Sequence, residues 1–438
     1  MRRVAPRLSS VGRCLAAAAC SFMLMPALAV DRSSVVPPTA GRSAVFLHPD
    51  GMGVNTWGAV RLKEVGPDGR LAWDRLPRMA IYVGPMLDGV TASSNGGATT
   101  HAWGVRARTD SYGMLGGQPI KRSAAGTDGT VMMDAQRAGK AIGIVNSSSV
   151  TEPGTGAFLA RVDAREDESE IAGQILAARP DVILGGGEAF FLPRGVQGVH
   201  GEGQRTDGRN LVEEARAAGY AVVRTREELS ALPPDTSRVL GLFAREETFN
   251  EADEATLKKR GLGVFQPQAP RFEEMIRVAM AILSRSPTGF LLVANDETTD
   301  NLAGENNAAA VLEAGAGADR AIAGVLEYVA RDPLLTLVVT SDSDCGGMQV
   351  SGDEYPANAP VPLRNENGAP QDGLLGRPFL AAPDAAGQRH PFVVHWASAN
   401  DVSGGIAARG IGPGAELLQG TVDSTAIYWV IHRGLFGD

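Results

Sequence analysis

The sequence contains little cysteine. Only three cysteines occur among its 438 residues, and two of them, Cys14 and Cys20, lie within the first 29 residues. Once that segment is removed, Cys345 is the single cysteine left, which excludes a disulfide within the chain. The protein must therefore be stabilised by its hydrophobic core, and a chain of this length with 44% hydrophobic residues can form a large one.

Long apolar stretches are missing beyond the N-terminus. Residues 1–29 contain four arginines and then an apolar stretch that ends in Ala-Leu-Ala, which is typical of a cleaved signal peptide. The sequence predicts a mature chain that begins at Val30 and is periplasmic or secreted. No later segment is long and apolar enough to span a bilayer, so we expect no membrane partner.

Basic residues are outnumbered by acidic ones. Four of the 41 lysines and arginines belong to the signal peptide, which leaves 37 against 50 acidic residues and a formal charge of −13. Such a chain is poorly suited to bind nucleic acid or an anionic membrane. An anionic substrate would need a local positive centre, and bound metal ions are the usual device.

Short apolar runs alternate with helical patterns along the chain. The runs occur at residues 44–47, 142–145, 182–184, 290–293 and 335–339. Between them, residues such as Phe272, Met275, Ile276 and Ala279 repeat at the spacing of one helix face. This order predicts an α/β fold with a central, mostly parallel sheet flanked by helices on both faces.

One domain is expected over residues 30–438. Two segments interrupt the alternating pattern and predict insertions near residues 229–270 and 351–390. The second is rich in Pro, Gly, Asn and Asp and is interpreted as a long loop before a last strand at Phe392–His395.

Acidic side chains follow three of the predicted strands. Asp50 follows the first, Asp342 and Asp344 follow the fifth, and a group that contains Asp296, Glu297 and Asp300 follows the fourth. Ligands bind beyond the carboxyl ends of such strands, where these carboxylates would repel one another without a cation. Helix capping explains any single acid well, but three acidic strand ends together favour a metal site.

The segment Val90–Val105 combines hydroxyls, glycines and a helical run. Ser93 and Ser94 are followed by Asn95 and two glycines, which predicts a loop that leads into a helix N-terminus. The free N–H groups there favour an anion, so a serine at this position can face a phosphate. Helix capping by serine is the simpler alternative on this segment alone.

Taken together, these motifs resemble the alkaline phosphatase family. The resemblance includes Asp50-Gly-Met-Gly after a strand, Ser94-x-Gly-Gly-Ala-Thr-x-x-x-x-Gly-Val-Arg, Asp181-Val-Ile-Leu-Gly-Gly-Gly and Thr340-Ser-Asp342. It continues in order through most of the mature chain. It implies a metal-dependent hydrolase of phosphate esters, and members of the family are commonly homodimers.

The resemblance also assigns roles to residues. Ser94 would be the nucleophile that forms a phosphoserine, and Arg165 would hold the phosphate, although it could equally be a solvated helix residue beside Asp163 and Glu166. Divalent metal ions would be bound by a set of acids and one hydroxyl: Asp50, Glu152, Thr155, Asp296, Glu297, Asp300 and Asp342. Thr155 fits only after a shift of one residue, because Gly154 aligns with the family's hydroxyl ligand.

The chain departs from the family at its metal-binding histidines. Gly304, Ser343 and Val402 stand where the family has three histidines, and Ser93 replaces an aspartate beside the nucleophile. The remaining candidate ligands are nearly all oxygen atoms, which suit magnesium, calcium or manganese better than zinc. We therefore expect harder cations such as magnesium, calcium or manganese in place of two zinc ions, or fewer metal ions, with zinc possible by resemblance.

Three functions remain open at this stage. The first is an exported phosphomonoesterase that acts on a small phosphate ester. The second is a phosphodiesterase of the same superfamily, whereas a sulfatase is disfavoured because Ser93 and Ser94 lack the Pro and Arg of a sulfatase nucleophile motif. The third is a catalytically degenerate protein that binds metal or phosphate, which the missing histidines favour and which Ser94, Asp50 and Arg165 oppose.

Overall fold

The computed structural model describes residues 41–352 and 355–437. The predicted signal peptide lies outside these residues. The strands are β1 (Ser43–Pro49), β2 (Arg78–Val83), β3 (Met114–Leu115), β4 (Gln118–Pro119), β5 (Ala141–Ser149), β6 (Val182–Gly186), β7 (Ala221–Val223), β8 (Val239–Leu242), β9 (Phe290–Asp296), β10 (Leu335–Val339), β11 (Asp344–Cys345), β12 (Gln349–Ser351), β13 (Gln371–Asp372), β14 (Phe379–Leu380), β15 (Pro391–His395), β16 (Asp401–Val402), β17 (Ile406–Ile411) and β18 (Thr421–Asp423).

Thirteen α-helices connect and cover these strands within the described residues. They are α1 (Val54–Val65), α2 (Ser94–Trp103), α3 (Val131–Arg137), α4 (Pro153–Gly156), α5 (Glu168–Ala178), α6 (Glu188–Phe191), α7 (Leu211–Ala217), α8 (Arg226–Ser230), α9 (Glu254–Arg260), α10 (Phe272–Leu283), α11 (Thr298–Gly304), α12 (Ala308–Val329) and α13 (Ala426–Phe436).

Ten strands form the central sheet, in the order β18-β2-β17-β10-β1-β9-β5-β6-β8-β7. All neighbours from β10 to β7 pair in parallel, and β17 pairs antiparallel with both β10 and β2. The predicted mostly parallel sheet is confirmed. The strand β1 lies between β9 and β10, so the segments that follow these strands meet at one edge of the sheet.

Helices cover both faces of this sheet, as predicted. Along β1, Val45 and Leu47 pack into one hydrophobic core, whereas Ala44 and Phe46 pack into the other. The first core includes residues of α1, α10 and α12, and the second includes residues of α2, α3, α5, α7 and α13. A strand that is buried on both sides needs apolar residues at consecutive positions, which explains why residues 44–47 are all hydrophobic.

The helix α10 shows how the predicted pattern determines packing. Phe272, Met275, Ile276 and Ala279 are all buried on the face that meets the first core. The side chain of Glu274 accepts a hydrogen bond from the backbone N–H of Arg271 at 2.8 Å, which satisfies a donor at the start of the helix.

The two segments interpreted as insertions contain regular structure. β8 lies within residues 229–270 and is a buried strand of the central sheet. Residues 351–390 contribute β13 and β14, which pair with β15 in a separate small sheet. The expectation that Phe392–His395 is the last strand is wrong, because β16, β17 and β18 follow it and β17 and β18 complete the central sheet. Within the described residues, no helix has the length and apolarity needed to cross a membrane.

Candidate active site

The helix α2 begins at Ser94, as the Val90–Val105 segment predicts. Ser93 is the residue that caps it, since the backbone N–H of Gly96 donates to Ser93 Oγ at 3.2 Å and Ser93 Oγ donates to the carbonyl of Thr109. Among the described residues, the Ser94 hydroxyl makes no hydrogen bond, and the residue is partly exposed. The cap and the candidate nucleophile are therefore two different serines.

The first turn of α2 lies against Asp342. A Cβ atom at Gly97 would stand 2.3 Å from Asp342 Oδ2, which is far closer than atoms in contact allow. Glycine at this position lets the helix backbone approach the carboxylate directly. Ser94 thus begins a helix whose first turn touches one of the predicted metal ligands.

Asp50 and Asp342 converge with an imidazole, and we call these three residues the His48 group. The Nε2 atom of His48 lies 3.8 Å from Asp50 Oδ1 and 3.8 Å from Asp342 Oδ1, and all three side chains are buried. Burial raises the pKa of Asp50 well above its usual value, and the carboxylates of Asp342, Glu297 and Asp300 raise it further. This is the electrostatic environment expected of ligands that share a cation.

Asp300 belongs to a second group, with Cys345 and Asp401. One ligand atom from each of these residues lies within 4.8 Å of the others. Burial raises the pKa of Asp300, and the nearby carboxylates of Asp401 and Asp342 add to this effect. A Cβ atom at Gly304 would lie 3.9 Å from Cys345 Sγ, so the thiol occupies the space beside that glycine.

Glu152, Arg165 and Glu297 form a third group at the same edge. Arg165 Nη2 donates to Glu152 Oε2 at 2.6 Å, and Arg165 lies in a turn before α5, so the helix interpretation of Arg165 is wrong. Burial raises the pKa of Glu297. The carboxylates of Glu152 and Asp300 raise this pKa further, whereas Arg165 lowers it. Asn295 Nδ2 donates to Glu297 Oε2 at 2.6 Å and so fixes this carboxylate.

The structure does not bring Asp296 or Thr155 into these groups. Asp296 Oδ1 accepts a hydrogen bond from Ser147 Oγ at 2.7 Å, and Asp296 lines a separate cavity beside Glu273. Asn146 Nδ2 donates to Thr155 Oγ1 at 3.0 Å, and that hydroxyl donates to the carbonyl of Val150 at 3.1 Å. Both side chains make hydrogen bonds to residues in or next to the strand β5.

The chain matches known proteins over most of its length. The family model described as alkaline phosphatase matches residues 42–371. The chain belongs to the alkaline phosphatase family. Streptomycin-6-phosphate phosphatase of Streptomyces griseus is 28% identical over 447 residues, which cover 93% of this chain and 92% of that protein. The resemblance inferred from the motifs is therefore confirmed, and the protein is a phosphatase.

Solved structures agree with the fold of this phosphatase. The alkaline phosphatase of Thermus thermophilus superposes with a TM-score of 0.70 at 22% identity, over 91% of this chain and 93% of that one. A variant of TAB5 alkaline phosphatase with magnesium bound in its M3 site superposes with a TM-score of 0.66 at 16% identity, over 91% and 99% of the two chains. TAB5 is an Antarctic bacterium.

The donor set of this phosphatase fits divalent cations. Within the part of the chain that the structure describes, Asp50 Oδ2, Asp342 Oδ2 and Asp344 Oδ1 are buried and have no hydrogen-bond partner. Buried carboxylate oxygens without partners are costly, and cation binding would compensate for that cost. We also find one imidazole and one thiol beside these oxygens, so the donors are less uniformly hard than the sequence indicates.

Sequence reasoning did not assign His48, Asn295 or Cys345 to the site. His48 could have been found, because it precedes Asp50 by two residues and such residues lie on the same side of an extended segment. Asn295 pairs across the sheet with His48, which requires the β1 and β9 register. Cys345 is placed by the pairing of β11 with β16 and by the hydrogen bond from its N–H to the carbonyl of Gly51, and it has no comparable local signal.

Several glutamates surround the Glu152 and Arg165 pair, and we call Glu168, Glu246, Glu247 and Glu251 the acidic mouth. Burial raises the pKa of Glu168 to about 8, with further contributions from Glu152 and Glu246, while Arg165 lowers it. Burial likewise raises the pKa of Glu247 to about 8, with Glu251, Glu152 and Glu246 adding to the effect. Glu168 and Glu247 are therefore mostly protonated at pH 7, and the acidic mouth becomes more negative as they ionise at alkaline pH.

Proposed function

We propose that this phosphatase is exported and hydrolyses phosphate monoesters through a phosphoserine intermediate on Ser94, with bound divalent cations. The observation that carries the proposal is the position of Ser94, which begins a helix whose first turn touches Asp342 and whose hydroxyl makes no hydrogen bond to any residue that the structure describes. Export is supported by the signal-peptide pattern of residues 1–29.

Each group of residues has a separate role in the proposed reaction. Ser94 Oγ attacks phosphorus, the alcohol of the ester leaves, and water then releases phosphate from the serine. The first N–H groups of α2 face the phosphate oxygens, and Arg165 has guanidinium donors beyond the one bound to Glu152. Cations held by Asp50, Asp342 and Asp300 would supply the positive charge that activates a serine and stabilises the leaving oxygen.

The proposal is tested by turnover of a chromogenic phosphate monoester. The mature protein is stripped with a chelator and assayed after addition of magnesium, manganese, calcium or zinc, in parallel with a matched diester. We expect monoester hydrolysis that depends on the added cation and slower diester hydrolysis. Faster diester turnover would favour the phosphodiesterase, and no turnover with any cation would favour the degenerate binding protein. Either result would contradict the proposal.

Within this function, we propose that the preferred alcohol carries positive charge. The acidic mouth lies next to Arg165, where the part of the substrate beyond its phosphate would be placed. The Streptomyces griseus relative is named for streptomycin 6-phosphate, which is therefore one substrate to test. Favourable charge pairs of this kind near a surface contribute about 0.2–1 kcal/mol each.

This preference should increase with pH. Glu168 and Glu247 have pKa values of about 8, so their ionised fractions rise between pH 7 and pH 9. The ratio of kcat/KM for a guanidinium-bearing ester to that for a neutral ester of the same size should rise by about 3- to 10-fold over this range. The guanidinium group keeps its charge throughout.

A matched variant isolates the effect. Glu247→Gln should reduce the rise in this ratio, whereas Glu213→Gln should not, because Glu213 is an exposed acid on α7. Added salt should also weaken the preference. An equal ratio at pH 7 and pH 9 in the unmodified protein would rule out a role for the acidic mouth.

A further inference from the structure

His48 is a buried histidine whose ring is poorly satisfied by hydrogen bonds. Within the described residues, neither Nδ1 nor Nε2 makes a hydrogen bond of good geometry, although the side chain of Asn295 lies close to the ring, and the residue is fully buried. An imidazole loses solvation when it is buried, so a ring with both nitrogen atoms unpaired is costly unless something else binds it. The same condition holds for Asp50 Oδ2 and Asp342 Oδ2 beside it.

The distances in the His48 group match those between ligands of one cation. Nε2 lies 3.8 Å from a carboxylate oxygen of Asp50 and 3.8 Å from one of Asp342, which is too far for a hydrogen bond. Ligand bonds of about 2.1 Å in a tetrahedral site place neighbouring donor atoms roughly 3.4 Å apart. A small contraction around a cation would therefore bring all three donors into its coordination shell.

The ring of His48 is held in place by its surroundings. The His48 ring stacks on the Phe46 ring, with their centroids 5.4 Å apart. It also makes an edge-to-face contact with the His101 ring, with centroids 5.5 Å apart. Its backbone pairs with Asn295 in the central sheet. A ring fixed in this way presents the same nitrogen atom to Asp50 and Asp342 without loss of side-chain freedom on binding.

We propose that His48 Nε2 binds the same divalent cation as Asp50 and Asp342. The strand β1 thereby supplies a nitrogen ligand that is absent after Asp342, where Ser343 Oγ instead donates to Asp401 at 2.5 Å. An imidazole with two carboxylates is a donor set that zinc accepts, so this centre favours zinc over magnesium. The inference concerns the cation of the proposed function and does not depend on Ser94 as nucleophile.

Metal binding measured without substrate tests this inference. The metal-free mature protein is titrated with zinc in competition with a chromophoric chelator, and the imidazole nitrogen atoms are followed by 15N NMR. We expect the Nε2 signal of His48 to move on zinc binding and the signal of His395, which pairs with Ser351 in the small sheet, to keep its position. His48→Asn should weaken zinc binding at one site on the order of 100-fold.

His395→Asn is the matched control, because the His395 ring bonds to Ser351 in the separate small sheet and lies outside the His48 group. It should bind zinc within about threefold of the unmodified protein, which is well below the loss expected of a ligand. An unmoved His48 signal, or zinc binding by His48→Asn as tight as that of the unmodified protein, would overturn the proposal. If His48→Asn fails to fold, the NMR result on the unmodified protein decides. If the unmodified protein binds zinc through His48 but hydrolyses no phosphate ester, the result would count against the proposed function and not against the assignment of His48.

Discussion

Ser94→Ala is expected to reduce turnover of a chromogenic phosphate monoester by on the order of 10³-fold or more, which is the scale seen when a covalent nucleophile is removed. The change removes the Oγ atom that would attack phosphorus. It leaves the cap of α2 intact, since Ser93 and not Ser94 accepts the hydrogen bond from Gly96. The variant should therefore fold and bind cations like the unmodified protein.

The neighbouring serine provides the control. Ser93→Ala removes the cap and should lower stability by about 1 kcal/mol while most turnover is kept. Intact-mass measurement after an acid quench should detect one phosphoryl group on the unmodified protein and on Ser93→Ala, but none on Ser94→Ala. If turnover in Ser94→Ala were undiminished, the nucleophile would have to be Ser93 or Thr91 and the proposed mechanism would be wrong.

Asp50→Asn should have opposite effects on activity and on the stability of the metal-free protein. Turnover should fall on the order of 10³-fold or more, because a charged ligand of the cation is lost. Burial and the carboxylates of Asp342, Glu297 and Asp300 raise the pKa of Asp50. A carboxyl group with a raised pKa stabilises the fold while it is protonated, and this contribution is lost as the pH rises toward that pKa.

Asparagine cannot ionise, so the metal-free variant should unfold at a higher temperature than the metal-free unmodified protein at pH 8. Cations should raise the unfolding temperature of the unmodified protein by more than that of Asp50→Asn, which retains only the ligands of the other groups. Asp296→Asn is a matched control, because Asp296 is equally buried but bonds to Ser147 outside the three groups. Cation stabilisation that survived in Asp50→Asn and disappeared in Asp296→Asn would show that the wrong acid had been chosen.

The fold could be predicted well because its signals are local. The apolar runs of β1 and β9 and the amphipathic pattern of α10 can each be recognised within fewer than fifteen residues. The acids at the strand ends were found for the same reason. The separate small sheet around β15 was not found, because its strands β13 and β14 have only two residues each and depend on pairing with distant residues.

The site was predicted less completely, because strand parity and register decide which side chains meet. Asp296 and Glu297 are neighbours in sequence, yet one faces Ser147 and the other faces Asn295. The sequence alone does not show which of the two carboxylates faces the site. The same limit applies to Cys345, which lies beside Asp401 because β11 pairs with β16. The sequence indicated a set of ligands that were nearly all oxygen atoms, whereas the structure also places the imidazole of His48 and the thiol of Cys345 beside the carboxylates.

The contact between Gly97 and Asp342 has a mechanical consequence. Only a hydrogen atom of the glycine separates the main chain of α2 from the carboxylate, so the helix backbone, and not a flexible side chain, determines the distance between the start of α2 and Asp342. If the proposed function holds, Ser94 would stand at a fixed distance from a cation bound by Asp342. Cations of different radius would then be accommodated by movement of the proposed carboxylate ligands and not by movement of Ser94.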